Sequence, residues 1–353
     1  MDALRLQSLT ARSICVIKPS ALGDVVQTLP LLPLLKERFP DARISWVINH
    51  SFRSLLEDYP LIDNLISYHR RGGIKSYWSL AKLLRAERFD LVLDLQGLAR
   101  TALMSLATGS RCVIGLETAR EGASLVCSYT IPGSSKQIPA WKRYEVVAQA
   151  LGCPLRERRV AFPSRQLRPD LSSALSAHPL IGIQLGAMWE TKRWPPEKYA
   201  ETARHLLEQT NGTLVLLGSP ADLPLVETFT RHLDEKDLPR IINLCGKTSL
   251  AELPTVLQHL DVLLTNDTGP MHIADVLGLP IVGIFTCTDP HRSGPKPGPS
   301  RHLFYADTAC QGSYCKTCPH PTEKKHACFT TISPRQVAAA TLTILATTTK
   351  AAA

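Results

Sequence analysis

The sequence lacks any apolar stretch long enough to cross a bilayer. A membrane-spanning helix needs about 20 predominantly apolar residues, whereas the apolar run at residues 25–35 is short and is interrupted by Gln27 and Pro30. The apolar tail at residues 337–349 is also short, and its many threonines favour a terminal packing helix. Residues 1–12 lack the sustained apolar core of a secretion signal. We therefore expect a cytoplasmic protein.

No segment resembles a known RNA- or DNA-binding module, although the chain is basic. It carries 40 Lys and Arg against 31 Asp and Glu, a formal net charge of +9. Such an excess predicts an anionic partner, which is a nucleic acid, an acidic membrane surface or a phosphorylated substrate, unless the protein is simply basic. Because the nucleic-acid modules are missing, we do not expect a nucleic-acid partner.

Short β-rich runs alternate with helical patterns along most of the 353 residues, which exceeds the usual size of one domain. This alternation predicts α/β domains with doubly wound parallel sheets, which bind ligands at the carboxyl ends of their strands. The rhythm weakens at residues 152–178, where Pro and Arg are frequent, and then restarts. We read this segment as a linker between two Rossmann-like domains, residues 1–165 and 166–333. A last helix follows at residues 334–353.

The pattern places the individual elements as follows. The predicted strands are 13–17, 43–48, 65–68, 90–95, 112–115, 180–185, 213–217, 241–244, 262–265 and 280–285. The predicted helices are 24–39 with a kink at Pro30, 74–88, 196–209, 222–233, 249–259, 269–277 and 334–347, whereas residues 289–300 are predicted to form a loop.

The segment from Lys18 to Asp24 directly follows the first predicted strand. Gly23 allows a ligand to approach the backbone closely. Asp24 lies at or near the start of a helix, where the helix dipole favours its ionised form, so it is a candidate general base. The alternative is that Asp24 or Ser20 only caps the helix.

The segment from Gly186 and Ala187 to Pro195 follows the first strand of the second domain. It contains two adjacent cations, Lys192 and Arg193, and ends in Trp-Pro at the start of a helix. This combination suits a diphosphate, because a lysine is a point charge that can neutralise a departing phosphate. The alternative is a solvated Lys-Arg pair.

The segment from Asn266 to His272 also follows a strand. Thr268 and Gly269 lie where a helix begins, so their backbone N–H groups can face an anion. We therefore predict a second phosphate-binding element here. The alternatives are that Asp267 only caps the helix and that His272 is a packed core histidine.

Four of the ten cysteines cluster at Cys310, Cys315, Cys318 and Cys328. Their spacing is compatible with tetrahedral zinc or iron. Unligated thiols or, in an oxidising compartment, a disulfide are the alternatives.

Taken together and in order, these motifs resemble the glycosyltransferase family 9 heptosyltransferases, which build the inner core of lipopolysaccharide. The resemblance rests on Ser20 to Asp24 with Thr28-Leu29-Pro30, on Lys192 to Pro195, and on Asn266 to His272. The segments at residues 94–97 and 244–250 also fit, so the similarity spans essentially the whole chain.

The resemblance implies a GT-B fold, in which two Rossmann-like domains face a central cleft and the last helix crosses back to the N-terminal, acceptor-binding domain. It implies inverting transfer from ADP-heptose to an anionic, lipid A-linked core acceptor, at the cytoplasmic side of the inner membrane with peripheral contact. Asp24 would be the catalytic base. The remaining implied residues would bind the nucleotide sugar: Ser20, Gly23, Gly186, Ala187, Lys192, Thr248, Asp267, Thr268, Gly269 and His272.

In this role Lys192, Thr268 and Gly269 would hold the diphosphate, Asp267 would meet the sugar hydroxyls, and no cofactor would be required for transfer. A structural zinc or iron at the four clustered cysteines remains open. Two alternative functions also remain open: a protein heptosyltransferase with a Cys-bound metal, and a sugar-nucleotide epimerase on the same fold.

Overall fold

The computed structural model describes residues 3–156, 160–176, 178–321 and 325–352. The chain divides into two compact units, residues 1–163 and 164–353. Two arginines of the predicted linker, Arg158 and Arg159, lie outside the described residues.

The first unit is built on one parallel sheet with the strand order β3-β2-β1-β4-β5-β6. Its strands are β1 Ser13–Ile17, β2 Arg43–Asn49, β3 Asn64–Tyr68, β4 Leu91–Asp94, β5 Val113–Leu116 and β6 Tyr129–Ile131. Its helices are α1 Ala3–Gln7, α2 Leu22–Thr28, α3 Leu31–Arg38, α4 Arg53–Leu56, α5 Gly73–Ala86, α6 Ala99–Thr108 and α7 Ala140–Ala150, with 3-10 turns at His50–Phe52 and Ala123–Val126.

The second unit repeats this architecture with the strand order β12-β11-β10-β7-β8-β9, again all parallel. Its strands are β7 Leu180–Gln184, β8 Thr213–Leu217, β9 Ile241–Asn243, β10 Val262–Asn266, β11 Ile281–Phe285 and β12 Arg301–Tyr305. Its helices are α8 Pro169–Ala174, α9 Pro196–Gln209, α10 Leu223–Arg231, α11 Leu253–Gln258, α12 Gly269–Leu277, α13 Pro290–Ser293 and α14 Pro334–Ala352, with 3-10 turns at Glu190–Lys192, Pro220–Asp222, Glu235–Arg240 and Ala327–Phe329.

The central strands are apolar on both faces, because helices cover both sides of a parallel sheet. All residues of β4, β7, β10 and β11 are buried. This explains why these strands appear in the sequence as continuous apolar runs rather than as an alternating pattern.

The prediction of an α/β fold with two doubly wound parallel sheets is confirmed. In each sheet the first and fourth strands of the unit, β1 and β4 or β7 and β10, lie side by side at the centre. The strand order reverses there, and α/β sheets bind their ligands at such a switch point.

The predicted helix 24–39 is interrupted at Pro30, where the kink was predicted, and is divided there into α2 and α3. The backbone of Leu29 and Pro30 stays in the right-handed helical region, but Pro30 lacks the N–H that a continuous helix needs. One local prediction is wrong. Residues 289–300, predicted as a loop, contain the short helix α13, which Asp289 caps through a bond from the His291 N–H at 2.8 Å.

The last helix, α14, packs on α9, β10 and β11 of its own unit. Its predicted crossing back to the N-terminal domain stays a prediction. No helix among the described residues is long and apolar enough to span a membrane.

Candidate functional site

Asp24 is the third residue of α2, the helix that begins after β1. Its Oδ2 accepts the N–H of Ala21, the residue before the helix, at 3.2 Å. This is the capping contact that the sequence left open as an alternative. The side chain nevertheless remains 38% exposed, so the carboxylate is accessible to a substrate as well.

Lys18 supplies a fixed positive charge beside this carboxylate. It is buried at the end of β1, and its Nζ donates to the Leu95 carbonyl at 2.9 Å and lies 3.9 Å from Asp24 Oδ2. Burial alone lowers the pKa of Lys18, but the charges of Asp24 and then Tyr144 outweigh it and the net pKa is raised. Lys18 therefore stays protonated near neutral pH.

Gln96 and Asp94 order the neighbouring loop at the end of β4. The Ser20 N–H donates to Gln96 Oε1 at 3.3 Å, while Asp94 Oδ1 accepts the N–H groups of Gln96 and Gly97 at 3.1 and 2.9 Å. Burial raises the pKa of Asp94. The structure thus brings Ser20 and Asp24 together with residues that follow the adjacent strand. Gly23, in contrast, is helical within α2 and is not at a left-handed turn.

Sequence reasoning missed the roles of Lys18 and Asp94 in this arrangement. Both belong to the motif segments, and both stand at the end of a strand. Their strands are neighbours, because Ile17 of β1 is in register with Asp94. Strand order was the missing information, and the sequence alone does not supply it.

Lys192 and Asp267 form the corresponding pair in the second unit. The two atoms Lys192 Nζ and Asp267 Oδ2 are 2.7 Å apart, and the side chains are only 16% and 5% exposed. The ammonium also lies 4.6 Å from the ring centre of Trp189. The lysine is therefore held by a carboxylate and an aromatic face, and it is not the solvated cation of the alternative interpretation.

Asn266 joins the two loops that carry this pair. Its Oδ1 accepts the Trp194 N–H at 3.1 Å, and its Nδ2 donates to the Leu185 carbonyl at 2.8 Å. Asn266 is fully buried at the end of β10. It fixes the loop after β7 against the loop after β10.

The first turn of α12 begins directly beside this pair. Thr268 is the cap residue, and its side chain makes no capping hydrogen bond but lies 3.2 Å from the Thr265 hydroxyl. A helix start without a side-chain cap presents backbone N–H groups to an anion. Gly269 contributes one such group, whereas the next residue, Pro270, has none. His272 is buried in the same helix.

The loops after β8 and β9 extend the site along the sheet edge. The Gly246 N–H donates to the Gly218 carbonyl at 2.9 Å. Thr248 is half-buried in the turn that follows, and β9 is two strands away from β7, about 10 Å at the usual strand spacing. The turn that carries Thr248 therefore follows a strand two positions away from the strand that precedes the Lys192 loop.

Gly186 lies where two of these loops approach each other closely. A Cβ at this position would lie 2.2 Å from Oδ1 of Asp222, and the other oxygen of Asp222 accepts the N–H and hydroxyl of Ser219 at 2.9 and 2.8 Å. The carbonyl of the next residue, Ala187, accepts Arg193 Nε at 2.7 Å. Glycine is therefore required for packing at position 186.

The Cys-rich segment packs against the loop that carries Lys192. The Thr191 hydroxyl donates to the Cys315 carbonyl at 2.6 Å, and Lys316 Nζ lies 5.7 Å from the Trp189 ring centre. Trp194 Nε1 donates to the Phe329 carbonyl at 3.3 Å. The segment therefore supports the position of Lys192, which sequence reasoning did not predict.

Among the described residues, no three or more His, Cys, Asp or Glu side chains are arranged to hold a metal ion. Cys310 Sγ lies 2.8 Å from His320 Nε2. Burial, and then the nearby thiols of Cys318 and Cys315, raises the pKa of Cys310. The thiols are thus neighbours, and the predicted metal site at Cys310, Cys315, Cys318 and Cys328 stays a prediction.

Comparison with known proteins identifies the family of the chain. The model of glycosyltransferase family 9 (heptosyltransferase) matches residues 77–323. The lipopolysaccharide core heptosyltransferase OpsX of Haemophilus influenzae is 29% identical over 295 residues, which cover 80% of this chain and 82% of that protein.

Two solved structures share the fold. The family 9 glycosyl transferase of Veillonella parvula has a TM-score of 0.80 at 24% identity, with 96% and 98% of the two chains covered. The Escherichia coli heptosyltransferase WaaC, solved with ADP, has a TM-score of 0.71 at 20% identity, with 92% and 97% covered. The chain belongs to glycosyltransferase family 9, the heptosyltransferases, and is a transferase enzyme.

Proposed function

We propose that this enzyme transfers a heptose from ADP-heptose to an inner-core lipopolysaccharide acceptor, with inversion at the anomeric carbon. The observation that carries the proposal is the Lys192–Asp267 pair beside the uncapped start of α12. This arrangement offers a cation and backbone N–H groups to a diphosphate. The relatives support the sugar and the acceptor, and the similar structure solved with ADP supports the nucleotide.

In the proposed reaction the Asp24 carboxylate takes the proton of the acceptor hydroxyl. The acceptor oxygen then bonds to the anomeric carbon while the bond from that carbon to the diphosphate oxygen breaks. The electron pair leaves with ADP, whose charge Lys192 and the N–H groups of Thr268 and Gly269 stabilise. One base and no covalent nucleophile give a single displacement, and this is why we propose inversion.

Lys18 holds Asp24 in place in this scheme, and Asp267 does the same for Lys192. Asn266 fixes the loops on either side of that lysine. We retain the prediction that Asp267 also meets the sugar hydroxyls. Thr248 and Gly246 lie along the sheet edge where the nucleoside would extend.

A thermal-shift panel of ADP, UDP, GDP and CDP tests the donor. We expect ADP to raise the Tm most, because a ligand that binds only the folded state stabilises it by mass action. A larger rise in Tm with UDP, GDP or CDP than with ADP would contradict ADP-heptose as the donor. Transfer is then followed with ADP-heptose and a purified heptose-free lipid A core. We place the enzyme on the cytoplasmic face of the inner membrane.

A second proposal concerns the Cys-rich segment: one structural zinc or iron ion held by Cys310, Cys315, Cys318 and Cys328. Thiols are donors that zinc and iron accept, and Cys310 lies 2.8 Å from a second donor, His320 Nε2. By ordering the segment, the ion would steady Thr191 and hence Lys192, and it would take no part in the transfer. Elemental analysis of the purified protein, beside a Cys315→Ser, Cys318→Ser variant, tests this. A metal content below one in ten chains would overturn it.

A further inference from the structure

Exposed apolar side chains are concentrated on α5 and α6 of the first unit. In the described part of the chain twelve large hydrophobic side chains are exposed, and five of them lie on these two helices: Ile74 at 77%, Trp78 at 65%, Leu83 at 44%, Leu103 at 54% and Leu106 at 58%. Trp78 is also the one exposed residue among the five tryptophans. Scattered exposed apolar residues are ordinary, whereas a cluster marks an interaction surface.

Helical periodicity places Ile74 and Trp78 on one side of α5, whereas Leu83 lies about half a turn away on the opposite side. Ile74, Trp78 and Arg85 recur at the same face of α5, while Leu80 and Leu84 point into the core. The two helices pack against each other. A groove of about 1340 Å³ runs between them, and its lining includes Trp78, Lys82, Arg85, Leu103 and Leu106. We call this surface the α5–α6 face.

Cations surround the apolar residues of the α5–α6 face. Lys75 is exposed near Ile74, and Lys82, Arg85, Arg88 and Arg111 line the groove or its end. The guanidinium of Arg85 lies directly over the backbone of Gly109, where a Cβ would be only 1.1 Å from its Nη1.

Two carboxylates belong to the same region, and both already accept hydrogen bonds from within the fold. Glu87 Oε1 accepts Asn64 Nδ2 at 3.1 Å, and Asp90 Oδ2 accepts the N–H groups of Arg12 and Ser13 at 2.8 and 3.0 Å. Five cations against two carboxylates leave the face positive.

We propose that the α5–α6 face binds the surface of a bilayer that contains anionic lipids. An exposed tryptophan and leucines enter the boundary between headgroups and acyl chains, and the surrounding cations pair with lipid phosphates. A second copy of the chain fits less well, because a twofold interface would set these cations against one another. The family resemblance already implies peripheral membrane contact, and the proposal names the surface that makes it; vesicle binding by this face does not depend on sugar transfer.

Sedimentation with vesicles tests the proposal on the full chain. We expect binding to vesicles of phosphatidylcholine with phosphatidylglycerol, little binding to phosphatidylcholine alone, and release by salt. The variants Trp78→Ala with Leu106→Ser, and Lys75→Glu with Lys82→Glu, should each lower the partition coefficient by about tenfold or more. Tyr305→Ala with Lys236→Glu is the matched control, since both residues are exposed in the second unit, and it should bind as the wild type does.

Equal binding to neutral and anionic vesicles, or unchanged binding by both test variants, would overturn the proposal. So would a dimer in sedimentation equilibrium that the same variants dissociate, because the face would then hold a second copy. ADP-induced thermal shifts are measured on every variant. If a variant no longer binds vesicles but keeps its ADP-induced rise in Tm, the proposed transfer function is unaffected. If the protein binds vesicles but no nucleotide, only the proposed transfer function is contradicted.

Discussion

The two units share a strand order yet place their charges in opposite ways. In the first unit the lysine is buried and the carboxylate is accessible: the side chain of Lys18 is 7% exposed and that of Asp24 is 38% exposed. In the second unit the carboxylate is the more buried partner, with Asp267 at 5% and Lys192 at 16%. Both pairs stand where the order of strands reverses in their sheet.

The opposite burial of the two pairs indicates what each site presents to a ligand. A buried cation beside an accessible carboxylate presents a base, whereas a buried carboxylate beside a more accessible ammonium presents a positive charge. The pairs also differ in separation, because the first pair is 3.9 Å apart and the second 2.7 Å apart. The same fold can therefore supply the proton acceptor in one unit and the phosphate site in the other. The first three predictions that follow each remove one member of a pair, and the fourth loosens the loop that carries Lys192.

The largest effect is expected from Asp24→Asn, which removes the base and keeps the size of the side chain. Steady-state turnover should fall by about 10²–10⁴-fold, the usual contribution of a general base. Asp24→Glu is the matched control and should keep more activity. A turnover within threefold of wild type in the Asn variant would show that another group takes the proton.

Lys192→Gln should weaken ADP binding by roughly 10–100-fold, because it removes the cation and leaves Asp267 buried without its partner. Isothermal titration with ADP measures the change. Arg204→Gln, which removes an exposed cation of α9 in the same unit, is the control and should change the Kd little. If the two variants weaken binding equally, the cation that matters is not specific to position 192.

Lys18→Met should reduce stability at neutral pH and flatten its dependence on alkaline pH. The folded-state pKa of Lys18 lies above the ordinary 10.5, so its contribution is fully present below pH 10.5 and is lost as pH rises through the folded value. Urea denaturation between pH 8 and pH 11 gives the two curves. If the difference in unfolding free energy between wild type and variant does not shrink across this alkaline range, the raised pKa of Lys18 is contradicted.

Thr191→Val should have the smallest effect, a two- to fivefold weaker affinity for ADP. It removes the hydrogen bond to the Cys315 carbonyl, worth about 1 kcal/mol, and so loosens the loop before Lys192. Thr202→Val, which removes a bond of 2.9 Å to the Lys198 carbonyl within α9, is a control in the same unit. An unchanged ADP affinity in Thr191→Val would mean that the Cys-rich segment does not position the lysine.

The fold class and the site segments were predictable because they depend on local patterns. Buried parallel strands appear as apolar runs, and the residues after β1, β7 and β10 carry the motifs. The break at Pro30 was harder, because a proline within an amphipathic pattern is compatible with either a kink or a new helix.

The partners of the site residues could not be predicted. The contact of Lys18 with Asp24 depends on the course of the buried lysine side chain. The contact of Thr191 with Cys315 joins residues 124 positions apart. Such contacts depend on strand order and loop packing, which no local pattern encodes. The α5–α6 face could not be predicted for the same reason, since its residues come from two helices.

The division of roles between the two units is tested most directly by titrating ADP into the Asp24→Asn and Lys192→Gln variants side by side. We expect a wild-type Kd for the first and a Kd raised by roughly 10–100-fold for the second. Loss of ADP affinity in Asp24→Asn with wild-type affinity in Lys192→Gln would contradict it.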